Sequence, residues 1–167
     1  IVEELARVDP SFAVFFCVHV GLCAKTIVLH GTDEQKAKYL PMLATDKVGA
    51  YSLSEAGAGT DAAAMSCKAK LAEDGTHYLL TGEKMWVTNG VSADIYVLFA
   101  KDVDHPDYGA KKHGGTTAFI IEQNFEGFTV GKKEDKLGIR SSDTCTLILK
   151  NCKVPVENVL KAPGEGF

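Results

Sequence analysis

The sequence predicts an α+β architecture: a helical segment first, then an antiparallel β-barrel or sandwich. Three observations carry this. Residues 1–44 show helical periodicity and helix-capping residues. After Asp46 the pattern changes to short alternating runs separated by turns. Helices and strands are segregated along the chain rather than interleaved, which argues against an alternating α/β fold.

Ile1, Leu5 and Val8 share one helical face. Ser11 is expected to cap a helix running to His30, with Gly31 as its stop. That helix is apolar nearly all round, so it is expected to be buried. Thr32 and Gln35 form a T-x-x-Q capping box that opens a helix through Tyr39 and Leu40, which Pro41 must kink or restart. Residues 48–53 read as a strand. Cys67, Ala69 and Leu71 alternate with Lys68 and Lys70, and Asp74-Gly75 is a hairpin turn leading into Tyr78-Leu79-Leu80. Residues 85–88, 95–100, 118–122 and 147–149 are further strands. Residues 101–115 make a charged loop containing His and Gly, long enough to be functional.

The composition excludes several classes of function. Hydrophobic residues make up 46% and charged residues 24% of 167, an ordinary soluble balance. A net charge of −4 attracts neither nucleic acid nor an acidic membrane surface. There is no uninterrupted run of 18 apolar residues, and the stretch 12–20 is too short to span a bilayer and contains His19. Five cysteines with no C-x-x-C, and five scattered histidines, point to a reducing compartment and no structural metal. The opening at Ile1 inside a helical pattern and the loop-like Gly164-Glu165-Gly166-Phe167 are expected of a piece of a longer chain.

The segment Gly57-Ala58-Gly59-Thr60-Asp61-Ala62 matches G-x-G-x-x-A. A dinucleotide-binding Rossmann unit needs an apolar strand before that motif and a long helix after it. Ser54-Glu55 precede it and an alternating segment follows, so the Rossmann reading is rejected. An isolated G-A-G is most often a plain turn. Here it sits in Tyr51-Ser52-Leu53-Ser54-Glu55-Ala56-Gly57-Ala58-Gly59-Thr60-Asp61, which combines a strand, hydroxyls and side-chain-poor backbone that a flat anionic ligand can approach. Gly82-Glu83-Lys84-Met85-Trp86-Val87-Thr88-Asn89 follows. Strand alternation would put Lys84, Trp86 and Thr88 on one face and Met85 and Val87 on the other. An indole beside a hydroxyl suits an aromatic heterocycle; on its own, Trp86 would read as core and Thr88 as a strand filler.

Together the two segments resemble the acyl-CoA dehydrogenase family, whose pattern is [ST]-E-P-G-A-G-[ST]-D followed by G-x-K-x-W-[IV]-[ST]. The resemblance spans the chain. Val2-Glu3-Glu4-Leu5-Ala6, His30-Gly31-Thr32-Asp33-Glu34-Gln35-Lys36 and Lys38-Tyr39-Leu40-Pro41 look like the family's N-terminal helical domain. Lys136-Leu137-Gly138-Ile139-Arg140-Ser141-Ser142 and Val154-Pro155-Val156-Glu157-Asn158-Val159-Leu160 look like the close of its middle domain. Ala56 replaces the usual Pro, a departure that with Ser54 is similar to the short/branched-chain subfamily; the longer loop 101–115 is similar to very-long-chain members.

The resemblance implies the end of an N-terminal helical domain over 1–46, a middle antiparallel β-barrel that binds flavin over 47–160, and over 161–167 the start of a linker to a C-terminal helical domain. It implies non-covalent FAD and oxidation of an acyl-CoA thioester to the trans-2-enoyl-CoA, with electrons passed to an electron-transfer flavoprotein. An acyl-CoA oxidase or an enoyl-CoA reductase of the same fold is an alternative, and a non-catalytic β-barrel binding module a second. Tyr51, Leu53 and Ser54 would lie along the flavin ring, Gly59 and Thr60 near the pyrophosphate, and Trp86 beside the isoalloxazine. Val87 would contribute backbone and Thr88 a hydroxyl near flavin N5. Thr60 would also bond the CoA arm, and His113 would contact CoA. The family's α-proton base is a Glu of the C-terminal domain, so no catalytic residue is assigned here. The family further implies a homotetramer, in the mitochondrial matrix of a eukaryote or the cytoplasm of a bacterium.

Overall fold

The computed structural model describes residues 1–167. Helices come first: α1 (Val2–Val8), α2 (Pro10–Phe16), a π-helical stretch (Cys17–Ala24), α3 (Lys25–His30) and α4 (Asp33–Thr45). Eight strands follow: β1 (Gly49–Ser52), β2 (Lys68–Leu71), β3 (His77–Thr88), β4 (Ile95–Asp102), β5 (Thr116–Glu122), β6 (Phe128–Lys133), β7 (Thr144–Pro155) and β8 (Val159–Leu160). The expected α+β order, helices before strands, is what the chain adopts.

From Pro10 to His30 the helix is continuous. Its cap is Asp9, not Ser11: the Asp9 carboxylate accepts from the Ser11 and Phe12 amides, and Pro10 takes the first helical position. Both residue types cap well, but Pro is at home in the first turn, where its missing N–H has no partner to lose. The helix ends at Gly31 as expected.

The expectation of burial for this helix is overturned. Only one stripe is covered, through Cys23 and Ile27, whereas Phe12, Val20, Leu22, Val28 and Leu29 stand at 42–60% exposure. By length and composition alone its 21 residues could cross a membrane, a test that the core helix of a globular protein passes equally. The stripe is nevertheless committed to the sheet. A Cβ on Gly49 would stand 2.7 Å from Cys23 Sγ, so the helix touches backbone there. His19 Nδ1 accepts from the Gly49 amide and Nε2 meets the Leu43 carbonyl at 3.0 Å, which fixes the orientation of the ring between helix and sheet.

The Thr32–Gln35 capping box forms in both directions. α4 then runs unbroken through Pro41 to Thr45, so Pro41 does not restart it.

The strands form one sheet in the order β6-β7-β3-β2-β4-β5-β8, with β1 also on β4. It is an open sheet rather than a closed barrel: β6 and β8, the ends of the path, do not pair with each other. Most pairings are antiparallel, including the β2–β3 hairpin over Asp74-Gly75, where Gly75 has φ 68°. Two are parallel, β1–β4 and β2–β4. β4 is buried at every position. Ile95, Val97 and Phe99 join a core with Cys23, Ile27, Tyr39 and Leu43 of the helices. Tyr96, Leu98 and Ala100 join a second core with Leu80 and Val87 of β3 and Leu147 and Leu149 of β7. One sheet supplies both walls of that second core, so it curls over it without closing.

The sheet is irregular on both sides of Thr146. β3 advances from Lys84 to Val87, and β6 from Val130 to Lys133, while β7 between them advances only from Leu147 to Cys145. Each neighbour of β7 carries one extra residue there, and such bulges bend a strand and raise its twist.

Candidate functional site

β1 and β2 lie one after the other along the same edge of β4, Ser52 opposite Leu98 and Lys68 opposite Lys101. The chain between them, residues 53–67, leaves the sheet. It first turns tightly: the Glu55 amide bonds the Ala58 carbonyl at 3.0 Å, and the reverse pair closes at 3.1 Å. Gly57 and Gly59 are exposed on this turn, and a Cβ on either would meet no heavy atom within 4 Å. The protein's own packing does not demand glycine at either position, which leaves bare backbone open to a ligand's close approach.

The second segment lies alongside. The Met85 amide bonds the Ser54 carbonyl at 2.8 Å, and Lys84 Nζ reaches the Leu53 carbonyl at 3.1 Å. The extra residue between Lys84 and Val87 breaks the simple alternation. Lys84 is fully buried and Val87 is in the core, while Trp86, at φ 55°, stands 61% exposed. The expectation that Lys84 shares a face with Trp86 is therefore corrected: the bulge turns Lys84 inward and Trp86 outward. Trp86 and Thr88 line one open cleft of about 500 Å³ with Val14, Lys136, Ile139, Ser142 and Thr144. Thr88 faces Thr144 across the strands. Lys136 Nζ donates to the Ser142 carbonyl at 2.6 Å and to Thr144 Oγ1 at 3.0 Å, holding that wall in place. Ser142 Oγ is buried and has no hydrogen-bond partner within the protein. An exposed indole and a threonine hydroxyl on one cleft suit a flat heterocycle with polar edges.

Behind the cleft lies a pair that sequence reasoning missed. The Glu55 carboxylate accepts from Lys84 Nζ at 2.7 Å, from the Cys67 amide at 3.0 Å, and from the Ser66 amide and hydroxyl at 2.6 and 2.7 Å. Burial alone would raise the Glu55 pKa, but the Lys84 and Ser66 donors more than offset it and hold the carboxyl below its usual range. The only signal in the sequence was that both residues sit within the two matching motifs.

The remaining expected residues are spread over several places, and none of them lines this cleft. Leu53 and Ser54 are half-buried beside β3. Gly59 and Thr60 are exposed on the turn, and the Val87 side chain is core, leaving its backbone for any contact. Tyr51 lines a different hollow, with His30, Phe99 and Phe167, its ring tilted against Phe99 at 5.2 Å. His113 is exposed, 5.3 Å from the Phe167 ring. The neighbouring Lys112 pairs with Asp61 at 3.0 Å, which joins the loop carrying His113 to the turn carrying Thr60. Within the 101–115 segment, Lys101 is buried and donates to the Lys112 and Gly114 carbonyls and to Thr116 Oγ1, clasping the loop at its base.

Comparison with known proteins gives a consistent picture. Residues 50–152 match the family model of the acyl-CoA dehydrogenase middle domain, and residues 1–47 that of the N-terminal domain. The short/branched chain specific acyl-CoA dehydrogenase of Rattus norvegicus mitochondria is 42% identical over 100% of this chain and 37% of its own length. An acyl-CoA dehydrogenase complexed with FAD from Bacillus anthracis aligns with a TM-score of 0.90 at 42% identity, covering 99% of this chain and 27% of that one. A chain in the structure of the electron transferring flavoprotein of Acidaminococcus fermentans aligns at 0.91 and 46% identity, over 99% and 42%. The chain thus spans well under half the length of these relatives.

Proposed function

The chain belongs to the acyl-CoA dehydrogenase family, and on that premise we propose that it is the FAD-binding part of an enzyme that oxidises an acyl-CoA thioester to the trans-2-enoyl-CoA. The observation that carries the reading is the cleft itself. Trp86 and Thr88 line it, and the Met85–Ser54 backbone bond fastens their strand to the segment that leads into the Gly57–Gly59 turn. When bound, FAD supplies the hydride acceptor, its N5.

The residues present fit that cofactor. Trp86 offers an aromatic face for the isoalloxazine, and Thr88 the hydroxyl assigned to N5. Leu53 and Ser54 border the ring, with Tyr51 further along β1 and Val87 contributing backbone. Gly59 and Thr60 offer amides and a hydroxyl to the pyrophosphate on a turn with no side chain in the way. Thr60 is also assigned to the CoA arm and His113 to CoA, a pairing supported by the Lys112–Asp61 bridge between their loops. Fixed donors of this kind stabilise developing charge without having to reorganise. In this reading residues 1–46 belong to the helical domain and 47–160 to the flavin domain, the electron acceptor is an electron-transfer flavoprotein, and the enzyme is a homotetramer acting on short or branched acyl chains. It works in the mitochondrial matrix if the source is eukaryotic and in the cytoplasm if bacterial.

The test is a pair of variants in the full-length protein. Thr88→Val keeps the shape and deletes the hydroxyl; Thr88→Ser keeps the hydroxyl. Stopped-flow reduction of the flavin by acyl-CoA should slow about tenfold in Thr88→Val, the effect of one hydrogen bond of ~1.4 kcal/mol, and change little in Thr88→Ser. Wild-type speed in Thr88→Val with an unaltered flavin spectrum would remove Thr88 from N5.

A further inference from the structure

Three consecutive residues of the segment that leaves the sheet are each tied to β3, and through only two of its residues. Lys84 Nζ bonds the Leu53 carbonyl at 3.1 Å and the Glu55 carboxylate at 2.7 Å; the Met85 amide bonds the Ser54 carbonyl at 2.8 Å. The next residue along β3 is Trp86. Glu55 in turn carries the Gly57 turn on its own backbone, through the paired bonds to Ala58, and reaches the start of β2 through Ser66 and Cys67.

We infer that the buried Glu55–Lys84 pair is a positioning device for the cofactor, setting the distance between the Gly57–Gly59 turn and the Trp86–Thr88 edge. This rests on FAD being the ligand of the cleft. The sheet does not need the pair to form. β3 is held by β2 and, on either side of its bulges, by β7, and β1 is held by β4. Only the 53–55 segment depends on Lys84. An ion pair with side chains 0% and 4% exposed is also an unpromising source of stability, because removing both charges from water offsets much of their attraction. Apolar groups of the same size would fill the space as well. What they would not supply is direction: an ammonium with two fixed acceptors, and a carboxylate with four fixed donors, admit one arrangement of the loop.

The two roles separate in full-length protein carrying Lys84→Met and Glu55→Gln/Lys84→Met. The single variant leaves a buried carboxylate without its cation, so both the unfolding midpoint at saturating FAD and the FAD affinity should fall. The double variant removes the unpaired charge, and most of the lost midpoint should return. If the pair positions the cofactor, the FAD dissociation constant of the double variant, read by quenching of flavin fluorescence, stays at least tenfold above wild type, and the visible flavin band stays shifted. Recovery of affinity and band shape together with the midpoint would overturn the inference, as would wild-type affinity in either variant. Should neither accumulate as folded protein, Ser66→Ala removes one donor from Glu55 and leaves the backbone donors and Lys84 in place. It should weaken FAD binding several-fold, and unchanged binding would overturn the inference equally. Wild-type protein that fails to bind FAD in the same titration would instead overturn the reading of the cleft.

Discussion

Replacing Trp86 with glycine should cost the fold almost nothing and the cofactor a great deal. Trp86 holds φ at 55°, a conformation that costs a non-glycine residue about 1–2 kcal/mol and glycine very little. Against that relief stands lost burial. With 61% of the residue exposed, roughly 40% of a ~250 Å² side chain is covered, about 100 Å², or ~2 kcal/mol at ~25 cal/mol per Å² once a compact unfolded state is allowed for. The two effects nearly cancel, so chemical unfolding of the full-length protein should change by less than about 1 kcal/mol. Stacking of an aromatic side chain on a heterocycle is worth about 1–3 kcal/mol, so the FAD dissociation constant should rise roughly 5- to 150-fold. Flavin-fluorescence titration and denaturant unfolding together decide it. A stability loss above about 3 kcal/mol would mean the indole is structural, and an unchanged dissociation constant would remove it from the cofactor face.

Two other outcomes follow from the buried groups. Because the folded pKa of Glu55 lies below its ordinary value, its contribution is present above about pH 4.5 and is lost as pH falls through the folded pKa. Acid-unfolding curves should therefore be steeper below pH 4.5 for wild type than for Glu55→Gln/Lys84→Met, and identical slopes would contradict the assignment. Burial pushes the thiols of Cys23, Cys67 and Cys152 up to about 12 and that of Cys145 to about 11, and Cys17 alone is partly accessible. Peptide mapping after brief thiol alkylation of native protein should find Cys17 modified well before the other four; early labelling of Cys67 or Cys152 would show that the sheet core opens.

Signals confined to a few neighbouring residues were legible in the sequence. The capping box at Thr32, the Asp74-Gly75 turn and the apolar run of β4 each announce themselves within a handful of positions, because caps, turns and buried strands are local chemistry. The edge strand β6 was missed, since Phe128–Lys133 is largely polar or half-buried and lacks a clean alternation. Glu55 and Lys84 lie 29 positions apart with no period linking them, so their bond could be seen only in three dimensions. The exposure of the Pro10–His30 helix is hidden from the sequence for a different reason. Apolar composition says that a surface is to be covered, but not that the cover lies within these 167 residues. Of the cleft, the motifs supplied Trp86 and Thr88. On the opposite wall Thr144 is set by pairing between β3 and β7, which no local pattern encodes, and Ser142 closes the segment that precedes β7.

The inserted residue between Lys84 and Val87 has a consequence for how this cleft can vary. In a regular strand, every outward side chain is matched by an inward one, so a new surface group can be gained only by exchanging one already there. Here three steps on β3 face two on β7. Deleting residue 86 would leave Lys84 and Val87 one residue apart, still both inward, with Met85 alone between them. The interior would be unchanged in phase, and only the outward indole would be gone. Chain length is thus, beside residue identity, a second variable that adds or removes an outward side chain at this point. A family of sequences could acquire or lose the group by a single codon insertion or deletion without renegotiating its core. β6 carries its own extra residue opposite the same Thr146, so the sheet is already bent there and accommodates the longer strand on both sides.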